Sequence, residues 1–121
     1  MTKKKVLIID DEVMVQKVME KLVEGQGAEA VIADSVEDLK KVLKSTDRFN
    51  LAILDLILPG ASGWDLIDII EKHSQIPIVI ITGLSLSSGE KKKLLSRTKT
   101  IIEKDKFDNN NFNKLLTEML K

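Results

Sequence analysis

Four short runs of this chain place chemically capable side chains directly behind apolar stretches. Val6-Leu7-Ile8-Ile9 ends in Asp10-Asp11-Glu12, and Leu51-Ala52-Ile53-Leu54 ends in Asp55. Ile78-Val79-Ile80-Ile81 ends in Thr82-Gly83, and Thr100-Ile101-Ile102 is followed closely by Lys104. If the apolar runs are parallel strands, their carboxyl ends share one rim, where ligands of open α/β sheets bind. Several carboxylates, a hydroxyl and an ammonium would then converge there. Two carboxylates about 5 Å apart repel by roughly 3 kcal/mol at an effective dielectric of about 20, so three acids on one rim call for a cation. One divalent ion together with Lys104 would bring Asp10, Asp11 and Asp55 to neutrality. An all-oxygen donor set with room for water suits Mg²⁺ or Mn²⁺, and these runs offer no His or Cys for zinc.

The elements that must position these groups follow from hydrophobic period. The runs at Val6, Leu51 and Ile78 are continuous and rich in β-branched residues, the pattern of strands buried on both faces of a parallel sheet. Ala30-Val31-Ile32-Ala33 and Thr100-Ile101-Ile102 are weaker examples. Between them the period becomes helical: Val15, Val18, Met19 and Leu22 predict one buried stripe, ended by Gly25 and Gly27. Ser35 with Asp38 resembles a capping box ahead of Val36, Leu39, Val42 and Leu43. Trp64, Leu66, Ile67, Ile69 and Ile70 mark a third helix, with Trp64 read as helix packing, and Phe112, Leu115, Leu116 and Met119 mark the last. The stretch Leu84 to Leu95 is expected to hold a helix that starts late or frays, because Ser85, Ser87, Ser88 and Gly89 are poor helix formers. Five β-α units in succession predict a doubly wound α/β domain with a five-stranded parallel sheet and five helices, over residues 1–121.

Composition narrows the function classes. In 121 residues, 19 Lys+Arg balance 19 Asp+Glu, which speaks against a dedicated nucleic-acid binder. No cysteine is present, which excludes disulfide scaffolds, thiolate zinc sites and thiol catalysis. No apolar stretch is long enough to span a bilayer, and the basic start carries too short an apolar segment for a secretory signal, so the cytoplasm is the expected location and no membrane partner is expected. No output domain is expected after the last helix. Gly25-Gln26-Gly27-Ala28-Glu29-Ala30 fits a dinucleotide pattern but follows a helix and precedes a strand, the wrong context. His73 reads as a surface residue and Lys91-Lys92-Lys93 as a solvated helix face.

Taken together, Asp10-Asp11-Glu12, Asp55-Leu56-Ile57-Leu58-Pro59-Gly60 with Gly63, Thr82-Gly83 and Lys104 resemble the receiver domain of two-component response regulators, over essentially the whole chain. The resemblance implies a flavodoxin-like strand order 2-1-3-4-5. It implies that Asp55 accepts a phosphoryl group from a histidine kinase, a histidine phosphotransfer protein or a small phosphodonor. Asp11 would bind the metal directly, Asp10 mostly through water, and the Ile57 backbone carbonyl would be a further ligand. Thr82 and Lys104 would hold phosphoryl oxygens, and Thr82 and Ile101 occupy the switch positions. A downstream protein would bind the face of the fourth helix, fifth strand and fifth helix. Such a domain is a signalling module that phosphorylates and dephosphorylates itself, not an enzyme acting on other substrates.

Three positions depart from the family pattern. Ile101 stands where Tyr or Phe is usual, Asp105 follows the lysine in place of proline, and Ser96-Arg97-Thr98-Lys99 replaces a Gly-Ala step. A trans Lys104–Asp105 peptide is therefore expected, since a cis bond without proline costs about 3–4 kcal/mol. Ile101 leaves open a receiver-like interaction module that phosphorylation does not regulate. An aspartyl phosphatase on the same fold usually has a second Asp two residues after the nucleophile, where this chain has Ile57. A flavin carrier would need a phosphate-binding loop where Asp10-Asp11-Glu12 would repel phosphate.

Overall fold

The computed structural model describes residues 3–45 and 48–121. Met1 and Thr2 of the basic start therefore lie outside the described residues. Five strands alternate with five helices: β1 (Lys5–Ile9), α1 (Val13–Gly25), β2 (Glu29–Ala33), α2 (Val36–Lys44), β3 (Leu51–Leu54), α3 (Gly63–His73), β4 (Ile78–Thr82), α4 (Ser88–Leu95), β5 (Thr100–Glu103) and α5 (Asn109–Met119). A single 3₁₀ turn, Lys104–Lys106, joins β5 to α5. All pairings between these strands are parallel and the order is β2-β1-β3-β4-β5. No peptide bond among the described residues is cis, so Lys104–Asp105 is trans as expected.

The period of two along each strand divides the core into two layers. Val6 and Ile8 of β1, Ile53 of β3 and Val79 of β4 face Met19 and Val23 of α1 and Phe112 and Leu116 of α5. Leu7, Ile9, Leu54 and Ile80 face Leu39, Leu43, Leu66, Ile67 and Ile70 of α2 and α3, together with Leu94 of α4. β1, β3 and β4 are thus covered on both sides, which is why their sequences are apolar without alternation. The chain order reverses at β1, whose neighbours are β2 and β3, so the crevice of the fold opens at the carboxyl ends of β1 and β3.

The helices depart from the sequence reading in detail. The buried line of α1 runs through Met19 and Val23, with Val15 and Leu22 flanking it, while Val18 is exposed. Only one narrow edge of α1 meets the sheet, and Val18 lies on the flank turned to solvent. Trp64 is also exposed rather than packed in the core, and the Arg97 guanidinium lies 5.7 Å from its ring centroid. Ser35 caps α2 by accepting from the Asp38 N–H at 3.1 Å, but Asp38 accepts from the Asp34 N–H at 3.4 Å instead of completing a box with Ser35. Full capping boxes occur elsewhere, at Ser62–Asp65 on α3 and Ser87–Glu90 on α4.

α4 does start late, at Ser88, and Leu94 is its only buried residue. With so little burial, its cap carries an unusual share of its stability. Ser87→Ala is expected to cost about 1 kcal/mol, the usual worth of an N-cap hydroxyl. Amide hydrogen exchange should accelerate across Ser88–Leu95 and not in β3 or β4; uniform protection would refute the expectation.

Candidate functional site

Each strand end delivers its residue to the rim through backbone bonds that leave little freedom. The Asp10 N–H donates to the Ala33 carbonyl at 3.2 Å and the Asp55 N–H to the Ile9 carbonyl at 2.9 Å, so both carboxylates sit one step beyond the paired strands. Asp55 Oδ1 accepts from the Ile57 N–H at 3.0 Å and Asp10 Oδ1 from the Glu12 N–H at 2.8 Å. Each acid thereby folds the loop behind it into a tight turn. Gln16 Nε2 donates to the Asp10 carbonyl at 2.6 Å, tying the loop to α1. Behind Asp55, Pro59 and Gly60 turn the chain so that the Ala61 N–H reaches the Leu58 carbonyl at 3.4 Å. Gly60 has φ of +91°, which a type II turn demands of its third residue and which glycine adopts without strain.

Carboxylate oxygens of Asp10, Asp11 and Asp55 all lie within 4.8 Å of one another. Asp10 and Asp55 are buried and Asp11 is exposed. In octahedral Mg²⁺ coordination, ligand oxygens about 2.1 Å from the ion stand roughly 3–4 Å apart, so small side-chain rotations bring these three onto one ion. The donors are oxygens only, in keeping with a hard divalent cation. The arrangement fits Mg²⁺ or Mn²⁺.

Lys104, at the start of the 3₁₀ turn, reaches across the rim from the edge of β5. Its Nζ lies 2.8 Å from Asp55 Oδ2, 2.6 Å from Glu12 Oε1 and 3.5 Å from Asp10 Oδ2. Although burial opposes its charge, hydrogen bonds to Asp55 and Glu12 hold the ammonium well above its ordinary value, so it stays protonated. Thr82 ends β4 beside Glu103, fully buried, with Oγ1 accepting from the Leu84 N–H at 3.2 Å. Accepting there leaves the hydroxyl proton free to donate. Ile101 sits within β5, half-buried against the α2–α3–α4 layer, away from the acids on the rim. The side chains of Ile57 and Leu84 are exposed.

The rim thus unites Asp10, Asp11, Asp55 and Lys104 as the spacing predicted. Sequence reasoning missed the contact of Glu12 with Lys104; the run Asp10-Asp11-Glu12 contained the residue, but nothing in it told which acid faces the lysine. His73 is exposed, as read. The Lys91–Lys93 face is not wholly solvated: Lys91 is half-buried and its Nζ pairs with Glu103 at 2.7 Å, while Lys106 meets the other oxygen at 3.5 Å. The Lys91 hydrogen bond, aided by Lys106, holds the Glu103 carboxyl below its usual range.

Burial, together with the neighbouring Asp55 charge, pushes the Asp10 carboxyl above its ordinary value of 3.8. A carboxyl so raised binds its proton more tightly folded than unfolded, and therefore subtracts stability at neutral pH. The deficit vanishes as pH falls below the unfolded value. Without divalent metal at pH 7, Asp10→Asn should raise Tm by roughly 4 °C or more for each kcal/mol relieved. The gain should shrink toward pH 3.8. Mg²⁺ should narrow it by stabilising the wild type preferentially. A variant less stable than wild type in metal-free buffer would contradict this account; thermal melts read it directly.

Comparison with known proteins adds independent evidence. Residues 6–117 match the response regulator receiver domain family. A probable transcriptional regulator, ycf27, from Porphyridium aerugineum is 32% identical over 85 residues, 70% of this chain and 35% of that protein. The DNA-binding response regulator MtrA of Mycolicibacterium paratuberculosis is 32% identical over 66% of this chain and 35% of its own length. The matched part of this chain thus spans about a third of these relatives. Among solved structures, a CheY-like receiver domain protein from Methanospirillum hungatei superposes with a TM-score of 0.84 at 22% identity, covering 98% of this chain and 94% of that one. The signal receiver domain of a LuxO repressor protein from Vibrio parahaemolyticus gives 0.85 at 20% identity, covering 98% and 91%.

Proposed function

The chain belongs to the response regulator receiver domain family, and from that premise we propose that Asp55 is its phosphoacceptor, acting with Mg²⁺ in a two-component or phosphorelay pathway. The observation that carries this reading is the Lys104–Asp55 ion pair set beside the Asp10, Asp11 and Asp55 oxygens. Asp10, Asp11, Asp55 and the Ile57 backbone carbonyl would hold the ion, which when bound offsets the rim's negative charge and polarises phosphoryl oxygens.

An Asp55 carboxylate oxygen attacks the phosphorus of the donor. The bond from phosphorus to the donor's imidazole nitrogen or acyl oxygen breaks, and its electron pair leaves with the donor. Lys104 pairs with one phosphoryl oxygen, and the Thr82 hydroxyl donates a hydrogen bond to another. Both groups are held before the reaction, so little reorganisation is needed as charge moves onto the transferring group.

An apolar patch beside the rim supports a protein phosphodonor. Val13, Met14 and Val18 are 59%, 74% and 38% exposed. Met14 and Val18 line a cavity of about 200 Å³ together with Val15, Ile81, Phe107 and Lys104. A histidine kinase or histidine phosphotransfer protein seated there would present its phosphohistidine to Asp55. The output partner is proposed at the face of α4, β5 and α5, where Lys91 and Lys106 both engage Glu103. That partner is a protein: the formal charge of this chain is zero, whereas DNA binding is named for MtrA as a whole. No described helix is long and apolar enough to cross a membrane, and the cytoplasm remains the proposed location.

Incubation with acetyl phosphate and Mg²⁺, followed by intact-mass measurement, tests the reading. A gain of one phosphoryl group, lost on omission of Mg²⁺, supports it. No gain under any donor would favour an interaction module that phosphorylation does not regulate.

A further inference from the structure

We propose that the Glu12 carboxylate is a place-holder on Lys104, occupying in the resting site the ammonium hydrogen that a phosphoryl oxygen takes, and so setting how tightly the site holds a phosphoryl group. The inference rests on the phosphoacceptor reading above.

An ammonium has three hydrogens to donate. Lys104 hydrogen-bonds two carboxylates, Glu12 at 2.6 Å and Asp55 at 2.8 Å, and holds Asp10 Oδ2 as a longer ion pair at 3.5 Å, so its short contacts are taken before any ligand arrives. A phosphoryl oxygen that takes one of these short contacts displaces the partner that holds it. The side chains of Asp10 and Asp55 are 5% and 1% exposed, whereas that of Glu12 is 59% exposed. A buried carboxylate that loses its partner bears the full cost of an unpaired charge, while an exposed one is taken up by water. Glu12 is therefore the partner that yields.

The local backbone supports the same assignment. Glu12 is the N-cap residue of α1, a position whose side chain commonly bonds the first helical N–H groups. Its side chain makes no such bond. Its own N–H is anchored to Asp10 Oδ1 at 2.8 Å, so the carboxylate swings from a fixed base. Nor does Glu12 belong to the carboxylates close enough to share one ion; among the described residues those are Asp10, Asp11 and Asp55. The side chain is thus committed neither to the helix nor to the metal, and its contact is with Lys104.

Beryllofluoride, a non-covalent analogue of the phosphoryl group, separates the possibilities by calorimetric titration in Mg²⁺. Three proteins suffice: wild type, Glu12→Gln and Glu12→Asp. Glu12→Gln removes the charge; Glu12→Asp keeps it but shortens the reach by one methylene, breaking the contact. Both variants are expected to bind beryllofluoride about threefold more tightly, the scale of an exposed ion pair. Mg²⁺ affinity measured alone should be unchanged in Glu12→Asp. Tightening in Glu12→Gln only would assign the effect to long-range charge and overturn the place-holder. Equal affinity in all three, or weaker binding in either variant, would also overturn it. If wild type takes up phosphate and binds beryllofluoride while the variants match it, only the place-holder fails. If wild type does neither, the phosphoacceptor reading fails and the place-holder with it.

Discussion

Asp55→Asn should leave the fold in place and reduce phosphoryl incorporation by more than about a thousandfold, to background. The substitution is close to isosteric, and the asparagine Oδ1 can still accept from the Ile57 N–H that Asp55 engages at 3.0 Å. What disappears is the anionic oxygen proposed to attack phosphorus, together with one of the carboxylates proposed to hold the ion. Lys104 keeps Glu12 and Asp10 as partners, so the rim does not collapse. Labelling with acetyl phosphate and Mg²⁺, followed by intact-mass measurement, gives the outcome. Phosphorylation of the variant at the wild-type rate would place the acceptor elsewhere and remove the central assignment.

The second large effect concerns how long the phosphorylated state lasts. Hydrolysis of an aspartyl phosphate needs a water opposite the leaving carboxylate. The two exposed side chains that follow Asp55 and Thr82 at the same interval are Ile57 and Leu84, 49% and 42% exposed. Their N–H groups are held by Asp55 Oδ1 and Thr82 Oγ1, so both residues are fixed close to the rim. Neither side chain can hydrogen-bond a water. Self-dephosphorylation is expected to be slow, with a half-life of minutes or longer, so that resetting depends on a phosphatase or on transfer back to a kinase. The double variant Ile57→Asn with Leu84→Glu should hydrolyse about tenfold faster, ~1.4 kcal/mol off the barrier. Decay of labelled protein after donor removal measures both. A wild-type half-life of seconds, unchanged in the double variant, would rule the account out.

Residue types and local period exposed the five β-α units because each strand and helix buries its own apolar face. Val6–Ile9, Leu51–Leu54 and Ile78–Ile81 were legible because strands covered on both sides leave no polar alternation to confuse them. The acids and Lys104 were legible because each directly follows such a strand. The strand order was not a matter of period; it came with the resemblance and agrees with the observed β2-β1-β3-β4-β5. Contacts between distant segments stayed hidden. Glu12 and Lys104 are 92 residues apart in sequence, and Arg97 crosses from the α4–β5 connection to Asp68 at 2.6 Å and to Glu71. A helical stripe names the buried face but not its width, which is why Val18 and Trp64 were read as interior. Polar side chains that choose among several neighbours are settled by tertiary geometry alone.

The Arg97 contact has a practical corollary. Trp64 is the only tryptophan in the chain, and its ring lies on α3 under a guanidinium borne by the loop that follows α4. Arg97 is itself fastened to α3 through Asp68 and Glu71. The indole therefore lies at the α3–α4 boundary with a cation at its face, and its emission is expected to respond to that cation's distance. The protein carries its own optical gauge: a shift of α4 against α3 would change the fluorescence of a single, assignable fluorophore, with no dye attached.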